Sequence, residues 1–346
     1  MQGLIIAVSA FASGVIGTAL GAVAAVILTA LVAIIGIAAN ILGADYNLVS
    51  EIAFGMFLGP HISFGPACCA VAYAYKKGYI EDSRDIFTPL IMLNKPDVIF
   101  VGGVIGIAGW YINTFAAQIL GGKVDTVALT VALIMIISKK VFCGSVLGKL
   151  SAGEKRFALD AKCWLPWQTC ATGYHMLLVG GSVGVLAGYL VLSMCRAAES
   201  FNNPALAEMS TIPIWALAIF SFLYMSTGRN IPVFHHVGLS GAYAAKAAYD
   251  LGAGDLAILW GLAFGLFSVY IGDWAGKLLD VHSEGYVDPP TVAVLVTSVI
   301  TMSMIPCIAG VIRGAVPMAL IPIIITIAFT AYGIICEKQN RESHPE

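Results

Sequence analysis

"GPHISFGPACCAVAYAYKKG", residues 59–78, interrupts a very apolar chain with two Gly-Pro steps, one histidine and a cysteine pair. It then resumes as a small-residue helix. Proline removes a backbone donor and fixes φ, so each Gly-Pro step marks a helix start or break. Such breaks inside a membrane are tolerated where the freed backbone lines a protected cavity. The stretch therefore raises the question of what the break and its imidazole are for.

The surrounding composition sets the solvent. Of 346 residues, 59% are hydrophobic and 11% charged, with a mean hydropathy of +0.89. Soluble domains carry about 25% charged residues. Runs such as 19–41 and 315–335 hold no charge, and ~20 apolar residues span a bilayer core. The reading is an all-α polytopic membrane protein. Eighteen basic against 20 acidic residues argue against a nucleic-acid partner. No basic region precedes the first apolar run, so no cleavable signal is expected. The eight cysteines lie mostly in or beside apolar segments without a CxxC pair and read as buried thiols.

Apolar segments fall at about 3–17, 18–42, 49–59, 62–78, 97–121 and 124–142, then at about 174–195, 210–227, 234–251, 255–279, 289–312 and 314–336. Shifting the chain by 174 residues places His61 on His235, Ala70 on Ala244, Ala74 on Ala248, Tyr75 on Tyr249 and Gly78 on Gly252. A shift of 159 matches Gly102 to Gly261, Gly106 to Gly265, Tyr111 to Tyr270 and Leu120 to Leu279. "VDTVA" (124–128) then echoes "VDPPTVA" (287–293). Matched segments in one order point to a duplication.

The expected organisation is a leading helix (1–17), repeat 1 (18–143), a cytoplasmic linker (144–173), repeat 2 (174–312), a trailing helix (313–336) and a cytoplasmic tail (337–346). Five segments per repeat, an odd number, would invert the second copy relative to the first. With the linker cytoplasmic, thirteen of the 18 Lys and Arg residues fall inside, among them Lys76, Lys77 and Arg84. That follows the positive-inside rule and puts both termini in the cytoplasm. The parity is unchanged if 49–59 and 62–78 form a re-entrant hairpin. The expected location is a plasma membrane, of the prokaryotic inner-membrane kind.

The leading site candidates are the histidines. His61 follows one break, and His235 and His236 follow "GRNIP" (228–232), with Asn230 inside it. Helix N-termini there attract anions or polar groups, and imidazole titrates near neutral pH. These residues would line a solute site or a proton path; the plainer alternative is local capping. Asp273, inside an apolar segment, is a second candidate, because intramembrane charge is costly unless used. Lys277 follows it by four residues, so a helical ion pair is the alternative. Its repeat counterpart is Thr114, beside Asn113. Asp125 and Asp288 open the last segment of each repeat and read as N-caps, with gating as the sharper option. Asp97, with Lys95, reads as capping plus a local ion pair; Asp255 holds a similar place, and Glu51 has uncertain burial. Cys68 and Cys69 share no counterpart in repeat 2, so no metal is expected, and no cofactor motif occurs.

Inverted repeats of this kind suit alternating access. The plan resembles ammonium and urea channel proteins in architecture alone, since none of their signature strings occurs. The expected function is a secondary transporter for a small polar or anionic solute, coupled to H+ or Na+ where driven. A channel for a small solute and a membrane subunit of a larger complex are the alternatives. Nothing assembles an acid, base and nucleophile, so an enzyme is not expected. The bilayer is the expected environment, and a homo-oligomer is compatible with the sequence.

Overall fold

Residues 2–20 form α1 (Gln2–Leu20), and one residue later α2 (Ala22–Ile41) begins. The single residue between them, Gly21, has φ +90°, a conformation that favours glycine. The chain reverses there: Ser13 and Thr29, eight residues to either side, donate to neighbouring carbonyls, those of Phe57 (2.6 Å) and Leu58 (2.8 Å). This computed structural model describes all residues except 160, 166, 170–171, 228–232, 312–314 and 344–346.

The remaining helices are α3 (Phe64–Lys76), α4 (Pro96–Leu120), α5 (Thr126–Cys143), α6 (Gly173–Ser200), α7 (Pro204–Met209), α8 (Ile212–Phe220), α9 (His235–Asp250), α10 (Ala257–Leu279), α11 (Pro289–Val299), α12 (Ile305–Val311) and α13 (Ala315–Ser343). No strand occurs among the described residues. Eight helical stretches among them are long and apolar enough to cross a membrane: α1, α2, α4, α5, α6, Gly254–Leu279, Pro289–Val311 and Met318–Ser343. A shorter apolar helix covers Ile212–Tyr224.

The chain divides into two compact units. One comprises Met1–Lys149, Ile219–Ile231 and His282–Thr291; the other comprises Leu150–Ala218, Pro232–Val281 and Val292–Glu346.

In the first unit α1 packs antiparallel on α4 through residues too small to hold the backbones apart. A side chain on Gly14 would strike the Gly102 carbonyl, and one on Gly106 would strike the Ala10 carbonyl. Tyr111 donates to the Gly3 carbonyl near the helix ends (3.3 Å). In the second unit α6 packs on α10 in the same way. A side chain on Gly184 would strike the Gly261 carbonyl, and one on Gly265 the Gly180 carbonyl. Small residues spaced by four permit this approach in membrane helices. The sequence matches Gly102/Gly261 and Gly106/Gly265 thus occupy the same contact in each unit. Their partners, Ala10 with Gly14 and Gly180 with Gly184, show that α1 does for α4 what α6 does for α10.

The segment before α3 answers the question of the re-entrant hairpin. Gly36 of α2 lies against Val49, and Thr29 reaches Leu58, so residues 49–58 run back along α2 to mid-helix. From there α3 continues onward. His61 lies beside Gly109 of α4, and Tyr73 reaches Asp97 at the start of α4 (2.9 Å). Lys76 then donates to the Val141 carbonyl near the end of α5 (3.1 Å). Residues 49–76 are therefore one discontinuous passage through the unit, not a hairpin that turns back. A π-helical turn at Val49–Ala53 opens it.

Candidate functional site

Two buried histidines sit where α3 and α9 begin. His61 is 1% exposed, in the turn just before α3. The carbonyls freed by the break are met by hydroxyls: Phe57 by Ser13, and Leu58 by both Thr29 and Ser63. Three hydroxyls thus supply what a continuous helix would have supplied. The His61 ring stacks on Trp110 of α4 with centroids 6.0 Å apart. Neither of its ring nitrogens has a hydrogen-bond partner among the described residues.

The second site is built around His236, 0% exposed in the first turn of α9. At matched positions of α4 and α10, Gly109 lies on the His61 carbonyl and Ser268 donates to the His236 carbonyl (3.3 Å). By that contact His236, rather than His235, takes the place of His61. His235 is only half-buried, with its ring 5.5 Å from that of His236.

The interval between α5 and α6 supplies the rest. Arg156 donates to the carbonyls of Lys277 and Leu278 at the end of α10 (3.1 and 3.4 Å). Trp164 lies on Gly276, and Gln168 lies on Gly272, where any larger residue would collide with them. The Gln168 side-chain nitrogen is 2.9 Å from His236 Nε2 and donates to the Val269 carbonyl at 2.9 Å. The Trp164 ring meets His236 edge-on at 6.0 Å. The stretch expected to be a cytoplasmic linker thus folds against α10 and completes the surroundings of His236.

Asp273 and Lys277, one turn apart on α10, form a 2.9 Å ion pair with both side chains 0% exposed. The ion-pair alternative is the geometry found. Thr114 donates to the Trp110 carbonyl of its own helix (2.9 Å), and half-buried Asn113 has no partner for Oδ1 among the described residues. Both aspartate caps are present. Asp125 accepts from the Ala128 amide (2.9 Å), and Asp288 accepts from the Thr291 amide (2.9 Å), the Thr291 hydroxyl and the Tyr286 hydroxyl (2.7 Å). Burial pushes the Asp288 carboxyl above its usual range, against the pull of those hydrogen bonds.

Asp97 lies in the first turn of α4 and accepts from Tyr73 and Tyr79. Lys95 sits 4.8 Å over the Tyr79 ring, so the expected Lys95–Asp97 pair is replaced by a cation–π contact and phenol donors. Asp255 pairs instead with Arg196 (3.2 Å). Glu51 is exposed, Cys68 and Cys69 are buried free thiols, and Asn230 lies outside the described residues.

Sequence reasoning missed Gln168 and Trp164. It also missed Lys139, 1% exposed and donating to the Gly285 carbonyl at 2.7 Å. The signal for the first two was two tryptophans, Trp164 and Trp167, inside a supposed aqueous connector.

The sequence model of one family, the family of unknown function DUF7973, matches residues 1–161 and again residues 151–321. No curated protein and no solved structure matches the chain.

Proposed function

The chain belongs to the DUF7973 family and meets its model twice, and from that premise we propose that it is a membrane transporter built from two inverted repeats. Repeat 1 comprises α1, α2, the discontinuous passage ending in α3, α4 and α5. Repeat 2 comprises α6, the Ile212–Tyr224 helix, the crossing that contains α9, α10 and α11–α12. Helix α13 follows. Five crossings are odd, so the second repeat starts from the opposite side.

This reading moves two sequence-based expectations. Repeat 1 starts with α1 rather than at residue 18. The first residues then lie on the side opposite the 144–173 interval, and the last residues lie on the same side as it. The charge bias is untouched, because no Lys or Arg precedes Lys76. Inverted halves, the first with a broken crossing before α3, suit alternating access to a central solute.

One observation carries the proposal: a buried histidine stands at the start of α3 and again at the start of α9, each with its carbonyl against the same position of the next helix. The cargo is a small polar solute, with H+ or Na+ as driving ion. The test is uptake by purified protein in proteoliposomes across a solute panel, with and without imposed gradients. Saturable accumulation that fails in His61→Ala and His236→Ala is expected. Flux that never saturates and ignores gradients would make the protein a channel, and no flux of any solute would sink both readings.

A further inference from the structure

The hydrogen bonds around His236 fix what that site can bind. The Val269 carbonyl can only accept, so the Gln168 atom facing it is the amide nitrogen. The same nitrogen spends its second hydrogen on His236 Nε2. His236 Nε2 is then an acceptor, and the neutral ring carries its proton on Nδ1. That Nδ1–H has no partner among the described residues, and neither do Gln168 Oε1 and the Trp164 indole N–H. His236 and Gln168 are both 0% exposed. Among the described residues, two donors and one acceptor stand unspent in one cluster of buried atoms, which is the kind of deficit a ligand fills.

Charge decides the class of ligand. The ionisable neighbours on α10, Asp273 and Lys277, are paired with each other at 2.9 Å, so among the described residues the cluster offers no net charge to a carboxylate or an ammonium. The third neighbour, His235, packs its ring 5.5 Å from that of His236.

We propose that His236, Gln168 and Trp164 form a binding site for an uncharged primary carboxamide group. Its carbonyl oxygen accepts from His236 Nδ1–H and Trp164 Nε1–H, and its N–H donates to Gln168 Oε1. This rests on the transport reading and names the solute class for it. Gly272 and Gly276 are part of the design, since a side chain at either would displace Gln168 or Trp164.

The test is equilibrium binding to the full chain in lipid nanodiscs. The probes are labelled acetamide, butyramide and benzamide, with acetate and ethylamine as charged controls. At least one amide saturates the site, the controls do not, and Gln168→Leu weakens amide binding tenfold or more. Gln168→Glu presents acceptors only, so it forces the proton onto Nε2 and makes Nδ1 an acceptor. Amide binding is then lost and ethylamine binding gained. Nitrogen-15 spectra of labelled histidine, with the His236→Asn variant for assignment, report a proton on Nδ1 in the unsubstituted protein. Failure of all three amides to bind, a proton on Nε2, or unchanged binding in Gln168→Leu would overturn the inference. Gradient-driven uptake of other solutes without amide binding would sink this inference alone; amide binding without uptake of any solute would sink only the transport reading.

Discussion

Ser13 and Thr29 stand at equal distances from the Gly21 reversal and reach adjacent carbonyls, Phe57 and Leu58, from two different helices. The broken passage is held open at mid-helix by hydroxyls rather than by its own backbone. Removing Ser13 takes the hydroxyl from the part-buried Phe57 carbonyl, and removing Thr29 leaves Leu58 with Ser63 alone, each at a cost of about 0.5–1.5 kcal/mol. Ser13→Ala and Thr29→Val should therefore each lower the thermal midpoint in detergent, while Ser50→Ala, on an exposed residue, should not. Equal midpoints for all three would mean that the hydroxyls do not support the break.

Close helix contact in both units makes a paired prediction. Gly106→Val and Gly265→Val push a side chain into the Ala10 and Gly180 carbonyls respectively. Overpacking of this kind costs about 1–3 kcal/mol or more. Both variants should lose stability by similar amounts, measured by thermal unfolding. Gly310→Val, with open space around its Cβ, is the control. A large loss at one site and none at the other would break the equivalence of the two contacts.

This pairing also explains how much was legible beforehand. Gly102/Gly261 and Gly106/Gly265 could be matched because a backbone contact tolerates only glycine there. The partner helix escaped notice because only Gly14/Gly184 keeps its identity, while Ala10/Gly180 and Thr18/Gly188 differ in residue type. The break at 59–66 was legible because Gly-Pro steps act locally. The choice between His235 and His236 was not. A shift of 174 holds at the far ends of α3 and α9, where Gly78 and Gly252 make the same turn (φ 70° and 78°), but slips by one residue at the histidines. Gln168 and Trp164 reach His236 only through tertiary folding of a polar interval, so no local pattern marks them.

The Asp273–Lys277 pair has a further consequence. Removing one partner of a fully buried pair leaves an uncompensated charge, worth about 3–5 kcal/mol. Asp273→Asn or Lys277→Met alone should cause a severe loss of folded protein, judged by monodisperse yield and thermal midpoint. The double variant should recover most of it. Single variants as stable as the unsubstituted chain would show that the pair is not held as found.

Asp288 ties stability to pH. Burial raises its carboxyl pKa in the folded state above the unfolded value. The native state thus binds more protons between those two values, and stability falls as pH rises through that window. Below the window the penalty vanishes; above it the penalty is complete. Asp288→Asn keeps a capping oxygen without the charge. Relative to the unsubstituted protein, it should gain stability as pH rises from the acid side of the carboxylate range toward neutral. A difference between the two proteins that stays flat with pH would contradict the assigned shift.

The central claim is that two repeats of five crossings lie inverted in the membrane, with α1 as the first crossing. The most direct measurement is the sidedness of the two ends of the chain, read with a maleimide-reactive tag at each end in intact and permeabilised cells. The account predicts the first residues outside and the last residues inside. Both ends on the same side of the membrane would contradict it.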